Sequence, residues 1–170
     1  VRQNVLGRGP LSADALLRLF VCVDCRGCRS YCDHDNDLAS VLQAARAEIA
    51  DAGALPAPVA EYLGTLAAAG RPADRPEADW PGQGLVDDGA TGRVALFLGC
   101  QGTSLDPGPA AAALAAARRL GPTRLLPAGL GCCGHPLWRW GDRRGFAAHA
   151  ARFAEHLAAF GPSLEVVVVD

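Results

Sequence analysis

The N-terminal part of the chain places its apolar residues at the spacing of helices. Residues 12–20 carry apolar side chains at helical spacing, and Ser12 stands where an N-cap is expected. Apolar residues then recur every three or four positions over residues 37–51, which begin in an acidic run that suits the start of a helix. A third helix is predicted over residues 57–69, with prolines at its start and Gly70 at its end.

The pattern changes beyond residue 70. Residues 71–92 are rich in Pro, Gly, Asp and Ala without periodicity, which predicts a linker. Strands and helices then alternate, with strands predicted at residues 94–98, 124–127 and 164–169 and helices at residues 110–120 and 142–160. This alternation favours a parallel sheet with helical cover. The predicted fold class is α+α/β, with a helical domain over residues 1–70 and a small parallel-sheet α/β domain over residues 93–170.

Charge and composition exclude several classes of protein. The 170 residues include 16 basic and 18 acidic side chains, and half of the residues are hydrophobic, which disfavours a nucleic-acid module and a disordered chain. The longest apolar runs fall short of the roughly 18 residues of a membrane span, and the start of the chain lacks the apolar core of a signal peptide. Because the chain has no methionine and ends directly after an apolar run, we expect a piece of a longer polypeptide.

The seven cysteines fall into two groups. The first group is Cys22, Cys25, Cys28 and Cys32, and the second is Cys100, Cys132 and Cys133. An odd total and the lack of an export signal argue against a secreted disulfide framework. Metal ligation in a reducing compartment is the better interpretation, so the expected location is cytoplasmic, or peripheral at the inner face of the membrane.

The first group has the spacing of the bacterial ferredoxin motif, Cys-x2-Cys-x2-Cys-x3-Cys, with Asp33 where a proline usually follows. Thiolates at these steps line a tight turn and reach the irons of one 4Fe-4S cluster, because soft sulfur ligands suit iron. In two-cluster proteins the fourth cysteine binds the other cluster, so Cys32 belongs either to this cluster or to a second one. The spacing does not assign the fourth ligand of a cluster that is held by Cys22, Cys25 and Cys28. A structural zinc site and a set of free thiols are the alternatives.

The second group combines one cysteine after a strand with an adjacent pair. Cys100 follows the predicted strand and Gly99, and 31 residues separate it from the pair Cys132 and Cys133. Adjacent cysteines form a strained disulfide with each other, but a loop flanked by glycines lets them offer two thiolates to one metal centre. The group is therefore interpreted as a second centre.

Two stretches of the chain resemble the cysteine-rich CCG domain of heterodisulfide reductase subunits: Phe97-Leu98-Gly99-Cys100 and Gly131-Cys132-Cys133-Gly134-His135-Pro136. The relatives of that family include the iron-sulfur subunits of glycolate oxidase, anaerobic glycerol-3-phosphate dehydrogenase and the lactate-utilisation complex. A ferredoxin motif ahead of the CCG domain is similar to the same architecture. Three features of the family pattern are missing from this chain: a last cysteine, a second CCG domain and an earlier ferredoxin motif. The chain therefore resembles a family member truncated at both ends.

The resemblance implies a helical ferredoxin-like segment followed by a CCG domain that is incomplete at its C-terminal end. It also implies an electron-transfer subunit of an oxidoreductase complex, which passes electrons between a flavin-dependent dehydrogenase of hydroxy acid or glycerol phosphate type and an acceptor such as quinone. Its partners would be a flavoprotein subunit and a membrane quinone-linked subunit. The CCG centre would hold an iron-sulfur cluster or zinc. A heterodisulfide-type thiol/disulfide reductase subunit and a zinc-stabilised interaction module remain as alternatives.

Other polar residues near the cysteines have two interpretations each. His135 is either a metal ligand or a solvent-facing residue, and His149 and His156 are interpreted as surface or packing residues on one helix. A small basic cluster beyond the cysteine loop fits either an acidic partner or a solvated helix start: Arg139, Arg143 and Arg144.

Overall fold

The computed structural model describes residues 12–70, 94–100, 107–126, 130–161 and 163–168. These residues form helices and three strands, in the order α1 (Ala13–Phe20), α2 (Gly27–Ser30), α3 (Leu38–Asp51), α4 (Ala57–Ala69), β1 (Val94–Phe97), α5 (Pro107–Leu120), β2 (Thr123–Leu125), α6 (His135–Arg139), α7 (Arg143–Ala158) and β3 (Glu165–Val168). The chain divides into two compact units. The first unit is Val1–Leu63 with Gly134–Ala147, and the second unit is Gly64–Cys133 with Ala148–Asp170.

Side-chain caps fix where the helices of the first unit begin. Ser12 Oγ accepts a hydrogen bond from the Ala15 N–H at the start of α1, as the sequence predicts. The Asp37 carboxylate accepts from both the N–H and the hydroxyl of Ser40, at 3.2 and 2.6 Å, and caps α3. Helix α1 packs against α3. The segment between them, which carries the first cysteine group, is therefore held at both ends.

A close backbone approach within the first unit depends on a glycine after α6. Gly141 has a φ of +90°, a conformation that residues with a Cβ rarely adopt. A Cβ at this position would overlap the carbonyl carbon of Arg46 and lie 2.5 Å from the Ala47 nitrogen. The absent side chain allows the turn after α6 to lie directly against the backbone of α3.

The second unit is built on a parallel sheet with the strand order β2-β1-β3. Val94 of the central strand pairs with Thr123 on one side and with Glu165 on the other. Successive residues of β1 point to opposite faces of the sheet, and each face buries a separate core. One core contains Leu96, Leu98, Ala110, Leu114 and Leu125, and the other contains Ala95, Phe97, Leu126 and Leu130 packed against Phe153, Leu157, Phe160 and Leu164.

The sequence predictions agree with this architecture in class and differ in detail. The mixed helical and parallel-sheet class is confirmed, and the predicted helix over residues 57–69 matches α4. Helix α5 begins three residues before the predicted start, at Pro107. Helices α2 and α6 were not predicted because four and five residues are too few to show a helical period. The predicted linker lies outside the described residues, and the boundaries at residues 70 and 93 stay predictions.

None of the helices in the described ranges has the length and apolar character needed to cross a membrane.

We expect Gly141→Ala to destabilise the first unit strongly. The substitution adds the strain of a positive φ, about 1–2 kcal/mol, to an overlap with backbone atoms of α3 that costs a further ~1–3 kcal/mol. Gly53→Ala is the matched control, because Gly53 has a φ of +67° but nothing within 4 Å of the added Cβ. Urea unfolding followed by circular dichroism measures both variants. Equal losses of stability would show that the close approach at Gly141 is unimportant.

Candidate functional site

The first cysteine group occupies the segment between α1 and α3. Cys25 and Cys28 are exposed, whereas Cys22 and Cys32 are half-buried. Two residues that flank Cys25, Asp24 and Arg26, have positive φ values of 58° and 57°. Positive φ is uncommon for residues with a side chain and concentrates where a loop is shaped for function. The backbone therefore curls tightly between the first and third cysteines.

The loop that holds Cys32 offers hydrogen bonds to its sulfur. The backbone N–H groups of Asn36 and His34 donate to the Cys32 thiol and hold its pKa below the ordinary value of a cysteine. A two-point ion pair between the Arg29 guanidinium and Asp35, with N–O distances of 2.8 and 3.1 Å, lies across the same loop. Both partners of that pair are exposed, so it adds little stability. Donation from backbone amides to sulfur is a feature of iron-sulfur sites.

Arg46 is the best-buried charged residue of the first unit, with 1% of its surface exposed. Its guanidinium donates to three backbone carbonyls: Leu19 at 2.7 Å, Cys22 at 2.9 Å and Arg139 at 3.0 Å. The Phe20 ring lies beneath it, with 5.7 Å between the guanidinium carbon and the ring centroid. Burial lowers the pKa of Arg46, and the adjacent Cys22 opposes that shift.

Arg139 adds a second guanidinium beside the first cysteine. Its Nη2 donates to the Cys22 carbonyl at 3.2 Å, the same oxygen that accepts from Arg46. Its Nε–H is buried and has no acceptor among the described residues. The sequence suggested one basic cluster of Arg139, Arg143 and Arg144. In the structure Arg143 and Arg144 are exposed, whereas Arg139 is half-buried and hydrogen-bonded to Cys22.

The second cysteine group belongs to the second unit and follows the carboxyl ends of β1 and β2. Cys100 is half-buried, Cys132 is fully buried and Cys133 is exposed. Functional loops of parallel sheets lie at these strand ends. Cys100 therefore follows the first strand, as the sequence predicts, and the cysteine pair comes after β2 along the chain.

A helix terminus fixes the loop that carries the cysteine pair. The Cys132 N–H donates to the carbonyl of Gly70, directly after α4, at 3.0 Å. Gly131 has a φ of +79°, and a Cβ there would lie 2.7 Å from the same carbonyl oxygen. A glycine is needed at position 131 both for its conformation and for its close contact with the helix end.

His149 holds the other side of Cys132. Its Nε2 lies 2.5 Å from the Cys132 carbonyl, so the ring carries its proton on Nε2 and donates it. The side chain is 6% exposed, which agrees with the packing interpretation of this residue, whereas His156 on the same helix is exposed. Both backbone polar groups of Cys132 are thus hydrogen-bonded within the second unit.

The two groups differ in how well they fit a metal centre. All seven cysteines lie in the described part of the chain and none is in a disulfide. Within the described ranges, no three His, Cys, Asp or Glu side chains lie close enough together to hold a metal ion. The first group fits an iron-sulfur cluster in its chemistry, because it supplies four thiols, amide donors to sulfur and adjacent cations. The second group supplies three thiols, one of them fully buried, and fits less completely.

Sequence reasoning missed the roles of Arg46 and His149, although both left a signal. Arg46 follows Leu42 by four positions and stands between the buried Ala45 and Ala47, so it belongs to the apolar face of its helix. His149 lies four positions before Phe153, which packs against a core of the sheet from the same helix. A polar residue at a core position of a helix indicates a buried hydrogen-bonding role.

In the chain stripped of metal, we expect Cys32 to react with iodoacetamide at lower pH when folded than when unfolded. The lowered pKa means that the folded state favours the thiolate. The amide hydrogen bonds to the Cys32 thiolate therefore stabilise the folded state above the pKa of the unfolded chain. This stabilisation is lost as the pH falls through the pKa of the folded chain. Mass spectrometry of the Cys32 peptide after labelling across a pH series, with and without urea, gives the two midpoints. Coincident midpoints would rule out the amide donors as an influence on this sulfur.

Replacement of His149 by leucine should reduce the stability of the second unit by about 1–3 kcal/mol, because the buried Cys132 carbonyl loses the donor that this ring supplies. His156→Leu serves as the matched control on the exposed face of the same helix. Thermal unfolding of both variants tests the difference. A His156→Leu loss as large as the His149→Leu loss would contradict the assigned contact.

Comparisons of the chain with protein-family models, with curated proteins and with solved structures find no match. Function is therefore inferred from the side chains and contacts described above.

Proposed function

We propose that the chain is an iron-sulfur electron-transfer subunit whose first centre is a 4Fe-4S cluster at Cys22, Cys25, Cys28 and Cys32. The observation that carries the proposal is the ferredoxin spacing of these four thiols in a loop with hydrogen-bond donors to sulfur. Zinc sites usually separate two pairs of cysteines by a longer loop, so zinc is the weaker assignment.

The residues around the first group have distinct roles in this proposal. The cluster would supply one-electron transfer when bound. Cys22, Cys25 and Cys28 hold it by their thiolates, and Cys32 serves either this cluster or a second one. Exposure of Cys25 and Cys28 suits entry of metal and passage of electrons to a partner. The amides of Asn36 and His34 donate to the Cys32 sulfur and offset its negative charge.

The surface beside the first group suits a protein partner. Large apolar side chains flank the cysteines and are exposed: Val21 by 70%, Val23 by 63% and Tyr31 by 91%. Adjacent exposed apolar residues are a feature of protein interaction sites. The proposed partner is a flavoprotein dehydrogenase for a small hydroxy acid or glycerol phosphate, with electrons continuing to a quinone-linked membrane subunit. The proposed location is cytoplasmic, or peripheral at the inner face of the membrane.

In this proposal the second group, Cys100, Cys132 and Cys133, is a CCG-type centre of iron-sulfur or zinc, on an α/β domain that follows a helical ferredoxin-like one. Its position after the carboxyl ends of β1 and β2 supports a functional role. A sulfur ligand on a rigidly held loop keeps a constant geometry when charge changes.

A second candidate function is a thiol/disulfide reductase of heterodisulfide type. One observation favours it: the exposed Cys133 stands beside the buried and doubly anchored Cys132. The Cys133 thiolate can attack a disulfide, which forms a mixed disulfide on Cys133 and releases the other sulfur as a thiolate; two electrons passed through the first centre then reduce that mixed disulfide to two thiols. A test of disulfide turnover separates this function from simple electron transfer to a dye.

We expect anaerobically prepared chain, reconstituted with iron and sulfide, to contain both in comparable amounts and to show a signal in electron paramagnetic resonance after dithionite. Cys25→Ser should abolish the signal of the first centre because it removes a thiolate ligand, while circular dichroism stays unchanged. Cys133→Ser is the matched control, since it removes an exposed thiol from the second group only. Zinc without sulfide in the unsubstituted chain would instead support a zinc-stabilised interaction module.

A further inference from the structure

Two arginines of the first unit direct their charges at one backbone oxygen. Arg46 Nη2 and Arg139 Nη2 donate to the Cys22 carbonyl, at 2.9 and 3.2 Å. Guanidinium groups stay protonated in proteins, so two positive charges meet at a single neutral acceptor. Like charges held this close repel each other, and the repulsion grows in a buried setting. The arrangement calls for a neighbouring negative charge.

The described residues provide no carboxylate in contact with either guanidinium. The ion pairs among the described residues join Arg18 to Asp14 and Arg29 to Asp35, and neither pair includes Arg46 or Arg139. Asp24 acts on Arg46 through its charge but forms no ion pair with it. Buried charges are ordinarily paired or bound to a metal site. The compensation expected for these cations is therefore not provided by a side-chain carboxylate.

Arg139 also has a donor that is not used. Its Nε–H is buried without an acceptor in the described part of the chain. The ring of Trp140 lies against the guanidinium, at 5.8 Å from its carbon to the ring centroid, and orients the side chain. A half-buried, oriented guanidinium with an unused N–H beside a cysteine is suited to an anionic neighbour.

We propose that Arg46 and Arg139 are a paired counter-charge for an anionic metal-thiolate centre at the first cysteine group. The inference rests on the proposed function, since four thiolates with their metal carry net negative charge. Fixed positive charge beside such a centre stabilises its more reduced and more negative state. The pair therefore raises the reduction potential of the centre and strengthens metal binding.

The test compares Arg139→Gln with Arg143→Gln. Both variants lose one positive charge, but Arg143 is exposed and contacts neither Cys22 nor Arg46. Arg46 is left intact because its three carbonyl bonds hold the fold. Redox titration of the reconstituted centre should show that Arg139→Gln lowers the ratio of reduced to oxidised centre about tenfold at a fixed potential, which is about 59 mV for one electron. Arg143→Gln should leave the ratio unchanged, and Arg139→Lys should restore most of it.

Titration with Co²⁺ separates this inference from the proposed function. A Co²⁺-thiolate complex reports on the same sulfurs without iron or sulfide, and we expect Arg139→Gln to weaken Co²⁺ binding about tenfold relative to Arg143→Gln. The unsubstituted chain could take up Co²⁺ but no iron and sulfide, while Arg139→Gln still binds Co²⁺ about tenfold more weakly than Arg143→Gln. In that case the proposed function fails and the counter-charge role of the two arginines stands. Equal potentials or equal Co²⁺ affinities in the two glutamine variants, with circular dichroism unchanged, overturn the counter-charge. Failure of the unsubstituted chain to bind either metal overturns both.

Discussion

The first unit depends on the hydrogen bonds of one buried cation. The Arg46 guanidinium joins the end of α1, the start of the cysteine loop and the end of α6 through three carbonyl oxygens. Each of these oxygens needs a donor once it is buried, because a buried carbonyl without one costs about 1–3 kcal/mol. The five fixed N–H groups of a guanidinium can serve several carbonyls at once, which a lysine cannot do with the same geometry. Gly141 makes the third contact possible by letting the turn after α6 touch the backbone of α3.

The second unit places its cysteines by a different means, through the topology of a parallel sheet. Strand β1 is central and buries both faces, so the residues that follow it and β2 emerge at the same edge. The Gly70 carbonyl, directly after α4, accepts a hydrogen bond from the loop of the cysteine pair. Hydrophobic burial thus sets where the second group lies, whereas polar contacts of backbone groups set the shape of its loop.

Much of the fold followed from local patterns, and much of the site did not. Ser12 as a helix cap, α4 and the parallel strands were predictable because each depends on neighbours in sequence or on apolar spacing. The contacts of Arg46 with Arg139, and of His149 with Cys132, join residues 93 and 17 positions apart, and no local period records such pairs. The thiols of both groups were evident from spacing alone. The donors and cations around them were not, because a polar residue at a core position of a helix indicates a hydrogen-bonding role but does not identify the distant carbonyl that it serves.

The two hydrogen bonds of the Cys132 backbone have a consequence for the proposed electron transfer. With its N–H bonded to Gly70 and its carbonyl to His149, Cys132 has both flanking peptide groups restrained against reorientation if the charge on its sulfur changes. Any adjustment is left to the torsion of a single side chain in a close-packed interior. In the proposed electron-transfer function, a sulfur held in this way would relax little between oxidation states, so the nuclear rearrangement that accompanies each electron would be small. The exposed thiols of Cys25 and Cys28 have the opposite setting, in which solvent would reorganise with every change of charge at the proposed first centre.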